Sequence, residues 1–341
     1  MAIVRHFGKP SLFITFTANP KWTEITDELL PGQVAFDRPD LIARVLNLKV
    51  RHFLNDLKKK NIFGHYKGLA RTIEYQKRGL PHMHLLLFLD LEDNFTDAEQ
   101  IDQIICAEIP DKTKDPELFE IVTSCMLHGP CMVQGGQELM VCSKRFPKPF
   151  QDGTTFPENG YPLYRRRRIT AEDQNNFFYS VRPRGRVGAE FVMDNRWVVP
   201  YNPYLTKKYK THINFEVYTG VEAVKYINKY VYKGSDRITL EIEDTQDEIK
   251  KYLHSRYIGP SEAMWNLFQF KTHEEDPTVI SLQVHLPGQQ AVYFPSEASA
   301  EEIARILERN RTTLIAFFEY NARNEDGRSY LYQEFPQHFA A

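Results

Sequence analysis

Cysteine is scarce. Four in 341 residues are too few to staple a chain of this length, which excludes a disulfide scaffold and points to a reducing compartment with free or metal-bound thiols. Long apolar runs are missing as well: no stretch approaches the roughly 18 residues of a membrane span, and the opening "MAIVRHFGKP" lacks the basic-then-apolar order of a secretory signal. Net charge is also nearly absent, at −2. What is present is apolar content, 42% hydrophobic residues, enough to bury a core in one large globular domain or two smaller ones. A strand-like run so soon after the initial methionine suggests a domain belonging to a longer chain.

The small net charge hides an uneven distribution. Residues 141–237 hold 18 Lys and Arg against 9 Asp and Glu, leaving 25 against 36 in the remainder. A basic middle inside an acidic protein fits a polyanion-binding face, and equally a solvated surface.

Periodicity gives the order of elements. "SLFITFTANPKW" (11–22) alternates apolar and Thr positions and stops at Asn-Pro, as a strand ending in a turn does. Leu41, Val45, Leu48, Phe53 and Leu57 recur at helical spacing, and strand-like runs at 66–76 and 82–89 follow, joined by "KRGLP". Strand, helix and hairpin in that order predict an α+β fold with an antiparallel sheet. Residues 90–120 read as an acidic surface insertion with one or two helices, and 121–200 as irregular, rich in Pro, Gly, Arg and aromatics. "TGVEAVKYINKYVYKG" (219–234) predicts a helix closed by Gly234, and "SEAMWNLFQF" and "EEIARILERNRTTLIAFFEYNAR" are helical by pattern.

The hairpin carries the first candidate site. Strand alternation puts His82, His84, Leu86 and Phe88 on one face. A turn centred on Gly79 would pair Gln76 with His82 and Glu74 with His84, all four on that face. Two imidazoles with one oxygen and open positions suit Mg²⁺, Mn²⁺ or Zn²⁺ acting as a Lewis acid on a phosphoryl oxygen. Between Glu74 and Gln76, Glu74 ranks first because a charged oxygen binds a hard cation better. The alternative is a pair of histidines satisfied by backbone and water.

On the helix at 219–234, Tyr226 and Tyr230 are four apart and share a face, with Lys229 and Lys233 three residues after each. A neighbouring ammonium or metal favours phenolate, and a phenolate can attack a phosphodiester. The alternative is an amphipathic helix burying its aromatics. Cys125, His128, Cys131 and Cys142 form C-x2-H-x2-C-x10-C, which could hold a structural Zn²⁺ or consist of free thiols beside a packed His. Arg165 and Arg166 in "RRRR" and Arg182 in "RPRGR" are placed to meet phosphates, or to be solvated. Asn19 and Trp22, just past the first strand, are candidates for holding nucleotides, with ordinary packing the alternative for Trp22.

Together these residues resemble the HUH endonuclease superfamily, named for His, hydrophobe, His, as in His82-Met83-His84. "FITFTANPKW", "EYQKRGLPHMH", "DNRWVVPYNPYL", "HINFEVY" and "AVKYINKYVYKGSDR" occur in the order and style of the Rep, or helicase-like, domain of Helitron transposases, and "MLHGPC", "CSKRFPKPF", "GYPLYRRR" and "VHLPGQQ" are similar to that family too. The resemblance implies an HUH-type central antiparallel sheet flanked by helices, with irregular insertions and a helical C-terminal extension. It implies His82 and His84 as metal ligands with Mg²⁺ or Mn²⁺, and Tyr226 and Tyr230 as nucleophiles that nick and join single-stranded DNA at transposon ends through 5′-phosphotyrosine. Lys229 is placed beside the phenols and Lys233 at the DNA. A helicase domain is expected downstream; the sequence contains no G-x-x-x-x-G-K-[ST], so no ATPase is expected here.

The expected layout is an HUH core over 1–235 with a Cys/His- and Arg-rich insertion at about 121–200, then an extension over 236–341 packed on the core, in a protein acting in the nucleus. The tyrosine helix is expected across the histidine face. Two other readings stand beside it: a non-catalytic transposon-end DNA-binding module with a zinc-stabilised loop, and a metal hydrolase using the His pair and water.

Overall fold

The computed structural model describes residues 2–75, 80–95, 97–129, 133–134, 137–138, 142, 144–157, 162–169, 179–181, 191–218, 258–294, 298–309 and 311–339. The expectations placed on Gln76, Cys131, Arg182, Tyr226, Lys229, Tyr230 and Lys233 lie outside these residues. The chain divides into two units, Met1–Thr278 and Val279–Ala341.

In the first unit the order is α1 (Ala2–Phe7), β1 (Leu12–Thr17), α2 (Thr23–Thr26), α3 (Pro39–Lys59), β2 (Tyr66–Glu74), β3 (His82–Leu89), α4 (Ala98–Ile104) and α5 (Pro116–Cys125). Two short ribbons follow, β4 (Val133–Gln134) with β5 (Gln137–Glu138) and β6 (Tyr179–Val181) with β7 (Phe191–Met193). Then come α6 (Pro203–Tyr209), β8 (Ile213–Val217), α7 (Pro260–Leu267) and β9 (His273–Asp276). The main sheet has five strands in the order β8-β1-β3-β2-β9, each pair antiparallel. The fold is α+β, with the histidine strand at the centre of the sheet. β9 lies in the stretch read from sequence as an extension, and it completes the sheet against β2.

The hydrophobic pattern explains the two layers. All eight residues of β3 are buried, which is why "HMHLLLFL" reads as nearly continuous apolar sequence rather than alternation. Its odd-numbered side chains join Ile14 and Phe16 of β1 and Phe215 of β8 in the main core. Helix α3 covers that back face. Proline in its first turn and Asp40 near its N-terminus suit its start, Lys58 and Lys59 suit its end, and Ile42, Leu46, Val50, Phe53 and Leu57 form its buried stripe. Each buried Leu or Ile is worth about 1.5–3 kcal/mol relative to exposure.

The front face is divided. Near one end, α1 contributes Ile3 to an apolar cluster with Phe13, Ala70, Leu86, Phe88 and Tyr218. Gly68 is required there, since a Cβ would lie 2.7 Å from the Phe7 ring and 2.8 Å from the Asp276 carbonyl oxygen. The other end, where β3 begins, is polar.

The insertion has its own small core, including Val122, Met126, Trp197 and Tyr201. Arg166, expected at phosphates, is instead 3% exposed and braces this core. Its Nη1 lies 2.6, 2.7 and 3.3 Å from the carbonyl oxygens of Asn195, Val198 and Ala107, and burial pushes its pKa down to about 10. Arg165 and Arg167 flank it and both pair with Glu108, at 3.7 and 2.6 Å. Elsewhere, Asp56 of α3 is 2% exposed and accepts hydrogen bonds from Tyr209 Oη at 2.6 Å, from Lys60 at 2.9 Å and from Lys208. It ties α3 to α6.

The second unit contains α8 (Ala300–Arg309), α9 (Thr313–Arg323) and α10 (Phe335–His338). Thr312 caps α9 by accepting from the Ile315 N–H, and the Phe335 ring centroid lies 5.0 Å from Phe317 and 5.3 Å from Tyr320. Helical periodicity at 301–323 is thus realised as two helices. Among the described residues no helix is long and apolar enough to cross a membrane.

Two stability predictions follow from these braces. Arg166→Met strips several buried carbonyls of their donor and costs about 3 kcal/mol in urea unfolding at neutral pH. Asp56→Ala leaves the Tyr209 hydroxyl unpartnered and costs about 2 kcal/mol, a discounted figure because both lysines reach solvent. A change below about 0.5 kcal/mol in either would remove that residue from the account of the fold.

Candidate metal centre

His82 is the first residue of β3 and His84 follows two places later, so strand alternation sends both rings to the polar end of the front face. Their centroids are 4.7 Å apart and nearly perpendicular. The β2–β3 register pairs Glu74 with His82 and Thr72 with His84. This corrects the expected pairing of Glu74 with His84 and Gln76 with His82. Facing partners are shifted by two relative to that expectation, and a two-residue shift keeps every side chain on its face. Glu74 therefore still meets both rings, His84 along the diagonal.

Glu74 Oε2 lies 2.8 Å from His84 Nε2 and 3.4 Å from His82 Nε2. One ligand atom from each of the three residues falls within 4.8 Å of the others, the one such trio of His, Cys, Asp or Glu among the described residues. The imidazoles are buried, at 9% and 5% side-chain exposure, whereas Glu74 keeps 36%, so the cluster meets solvent on the carboxylate side. Hydrogen bonds from His82 and then His84 hold the Glu74 carboxyl far below the usual carboxylate range. Burial pushes the pKa of His84 down, outweighing the Glu74 bond. An ionised carboxylate beside a neutral imidazole is the donor chemistry a divalent cation takes up. A cation held by two nitrogens and one oxygen would keep further coordination positions open.

Three neighbours had no role assigned from sequence. Phe13 stacks on His84 with centroids 5.4 Å apart and planes 15° from parallel. Thr15, directly across from His84 on β1, places Oγ1 3.2 Å from His84 Nδ1. His212 continues the row beyond Thr17, whose N–H donates to the His212 carbonyl. Its Nδ1 is 2.9 Å from the Cys125 carbonyl oxygen, so Nδ1 carries the proton and Nε2 keeps its lone pair. Burial, with His82 adding to it, lowers the His212 pKa. The alternation of "LFITFT" already placed Phe13, Thr15 and Thr17 on one face, and that was the available signal; for His212 the local pattern held none.

The remaining sequence candidates separate. Trp22, expected to hold a nucleotide, is 4% exposed, donates its indole N–H to the Tyr209 carbonyl at 2.8 Å and packs 6.2 Å from Phe16. It is a core residue because an indole beside an apolar sheet face gains more from burial than from solvent. Asn19 uses its amide locally, accepting from Lys21 N–H at 3.0 Å and donating to the Lys210 carbonyl at 2.6 Å. Arg165 is 30% exposed beside Asp102 and Glu108. Of the proposed zinc set, His128 Nε2 lies 3.2 Å from Cys142 Sγ and its ring stacks on Phe146 at 4.3 Å. Cys125 does not complete a trio with them.

No curated protein matches the chain. Residues 1–87 match the family model described as the Helitron helicase-like domain at the N-terminus. The matched stretch holds β1, α3, β2 and the start of β3, and with them Glu74, His82 and His84. The polar end of the sheet is therefore built by a segment similar to that domain, and the chain is consistent with a Helitron Rep, helicase-like domain.

Proposed function

We propose that the protein is a metal-dependent single-stranded DNA endonuclease and strand transferase that nicks and joins transposon ends in Helitron-type rolling-circle transposition. The observation that carries this reading is the Glu74, His82 and His84 trio, open on one side, at the start of the central strand. These three residues would hold Mg²⁺ or Mn²⁺. When bound, the cation supplies Lewis-acid polarisation of a phosphoryl oxygen.

The chain's own residues do the rest. The two buried rings, of which His84 is held against Phe13 and across from Thr15, fix where a phosphate can sit. Tyr226 or Tyr230 is the nucleophile in this reading, with Lys229 favouring the phenolate. The phenolic oxygen forms a bond to phosphorus as the bond to the 3′ oxygen breaks, leaving a 5′-phosphotyrosine and a 3′-oxygen that takes up a proton. Attack by a 3′-hydroxyl on that phosphotyrosine reverses the step and joins strands; two tyrosines allow two transfers. No ATP is consumed. Lys233, Arg165, Arg182 and the surrounding basic segment would steer single-stranded DNA. A helicase domain downstream would supply unwinding, in the nucleus.

Incubating the full chain with Mn²⁺ and an end-labelled single strand bearing a transposon end should give a covalent protein–DNA adduct. His82→Ala or His84→Ala should slow adduct formation at least ~100-fold, the loss of several kcal/mol of charge stabilisation. The double variant Tyr226→Phe, Tyr230→Phe should bind the oligonucleotide and form no adduct. Cleavage persisting in that variant would establish a water-using hydrolase instead, and binding with no cleavage by the unmodified chain would establish a DNA-binding module.

A further inference from the structure

The hydroxyl of Thr15 sits where a hydrogen-bond partner must serve His84 in two opposite ways. Glu74, as a carboxylate, can only accept, so the 2.8 Å contact assigns the ring proton of His84 to Nε2. Nδ1 then carries the lone pair and accepts from Thr15, whose Oγ1 lies 3.2 Å away. A cation held through Nε2 needs the lone pair there, which places the proton on Nδ1 and makes Thr15 the acceptor. A backbone carbonyl or a carboxylate at that position would suit only the second arrangement. A hydroxyl rotates and suits both.

On that basis, and resting on the reading of Glu74, His82 and His84 as a cation site, we propose that Thr15 is the positioning residue that lets His84 exchange tautomers when the cation arrives. Phe13 makes the exchange a pure proton relocation. Its ring lies 5.4 Å from the imidazole, 15° from parallel, so the imidazole keeps its plane while the hydroxyl turns. The β1–β3 pairing fixes the distance, since Thr15 and His84 are direct cross-strand partners. Thr15 touches no substrate in this assignment. Its effect reaches the chemistry through His84 alone.

Valine matches threonine in shape and β propensity while removing the hydroxyl, so Thr15→Val should fold and still lose both arrangements. Titrating the full chain with Mn²⁺ alone, followed calorimetrically, should show affinity falling 10- to 100-fold in Thr15→Val and staying within about threefold of the unmodified chain in Thr15→Ser. ¹⁵N imidazole spectra with Mg²⁺ should show the His84 proton moving from Nε2 to Nδ1 on binding. Thr15→Val binding Mn²⁺ as tightly as the unmodified chain, or Nδ1 staying unprotonated in the Mg²⁺-bound state, would overturn the assignment while leaving the cation site in place. Absence of Mn²⁺ binding by the unmodified chain would overturn site and assignment together. Thr15-dependent Mn²⁺ binding without DNA cleavage would overturn only the nuclease reading.

Discussion

The arrangement of this protein depends on one hydrogen-bonded register, the pairing of Glu74 with His82 across the β2–β3 hairpin. That ladder places a carboxylate oxygen between two imidazole nitrogens that share a strand face. Its tolerance is set by the period of two: a one-residue slip would send Glu74 to the apolar back face, against α3, where an unpaired carboxylate is costly. The hydrophobic pattern of β3 also guards the site, because a one-residue slip of β3 instead would turn Met83, Leu85 and Leu87 away from the core they build.

The same sheet solves a second problem. A central strand with both faces covered offers no access, and β3 is buried along its whole length. Access comes from dividing the front face: α1 seals the apolar half through Phe13, Leu86 and Phe88, while the end at His82 is left polar and reaches solvent through Glu74. Phe13 belongs to both halves, packing into the apolar cluster and lying against His84. Rigidity of the core is thus passed directly to the His84 ring.

Much of this was legible in the chain. Alternation and turn residues marked β1 and the hairpin, helical spacing marked α3 and the C-terminal helices, and the parity of positions 74, 82 and 84 put the three side chains on one face. The turn centre was not legible, because Gly79 is only one of several residues able to sit in that loop, and the register moved by two as a result. Arg166 and Trp22 show a different limit. A guanidinium in "RRRR" and an indole after a strand carry the same local signal whether they face solvent or close a core; burial is decided by distant segments, here Ala107, Asn195 and Val198 for the one and Tyr209 for the other. β9 joined the sheet from a stretch too short and too charged, "HEED", to read as a strand.

The central claim is that two imidazoles and Glu74 are the inner ligands of one divalent cation. Pulsed electron paramagnetic resonance of Mn²⁺ bound to the full chain measures this directly, through coupling of the metal to directly bonded imidazole nitrogens. The account predicts two such nitrogens, reduced to one by either His82→Ala or His84→Ala. A spectrum with no directly bonded nitrogen, or one that both substitutions leave unchanged, would contradict it.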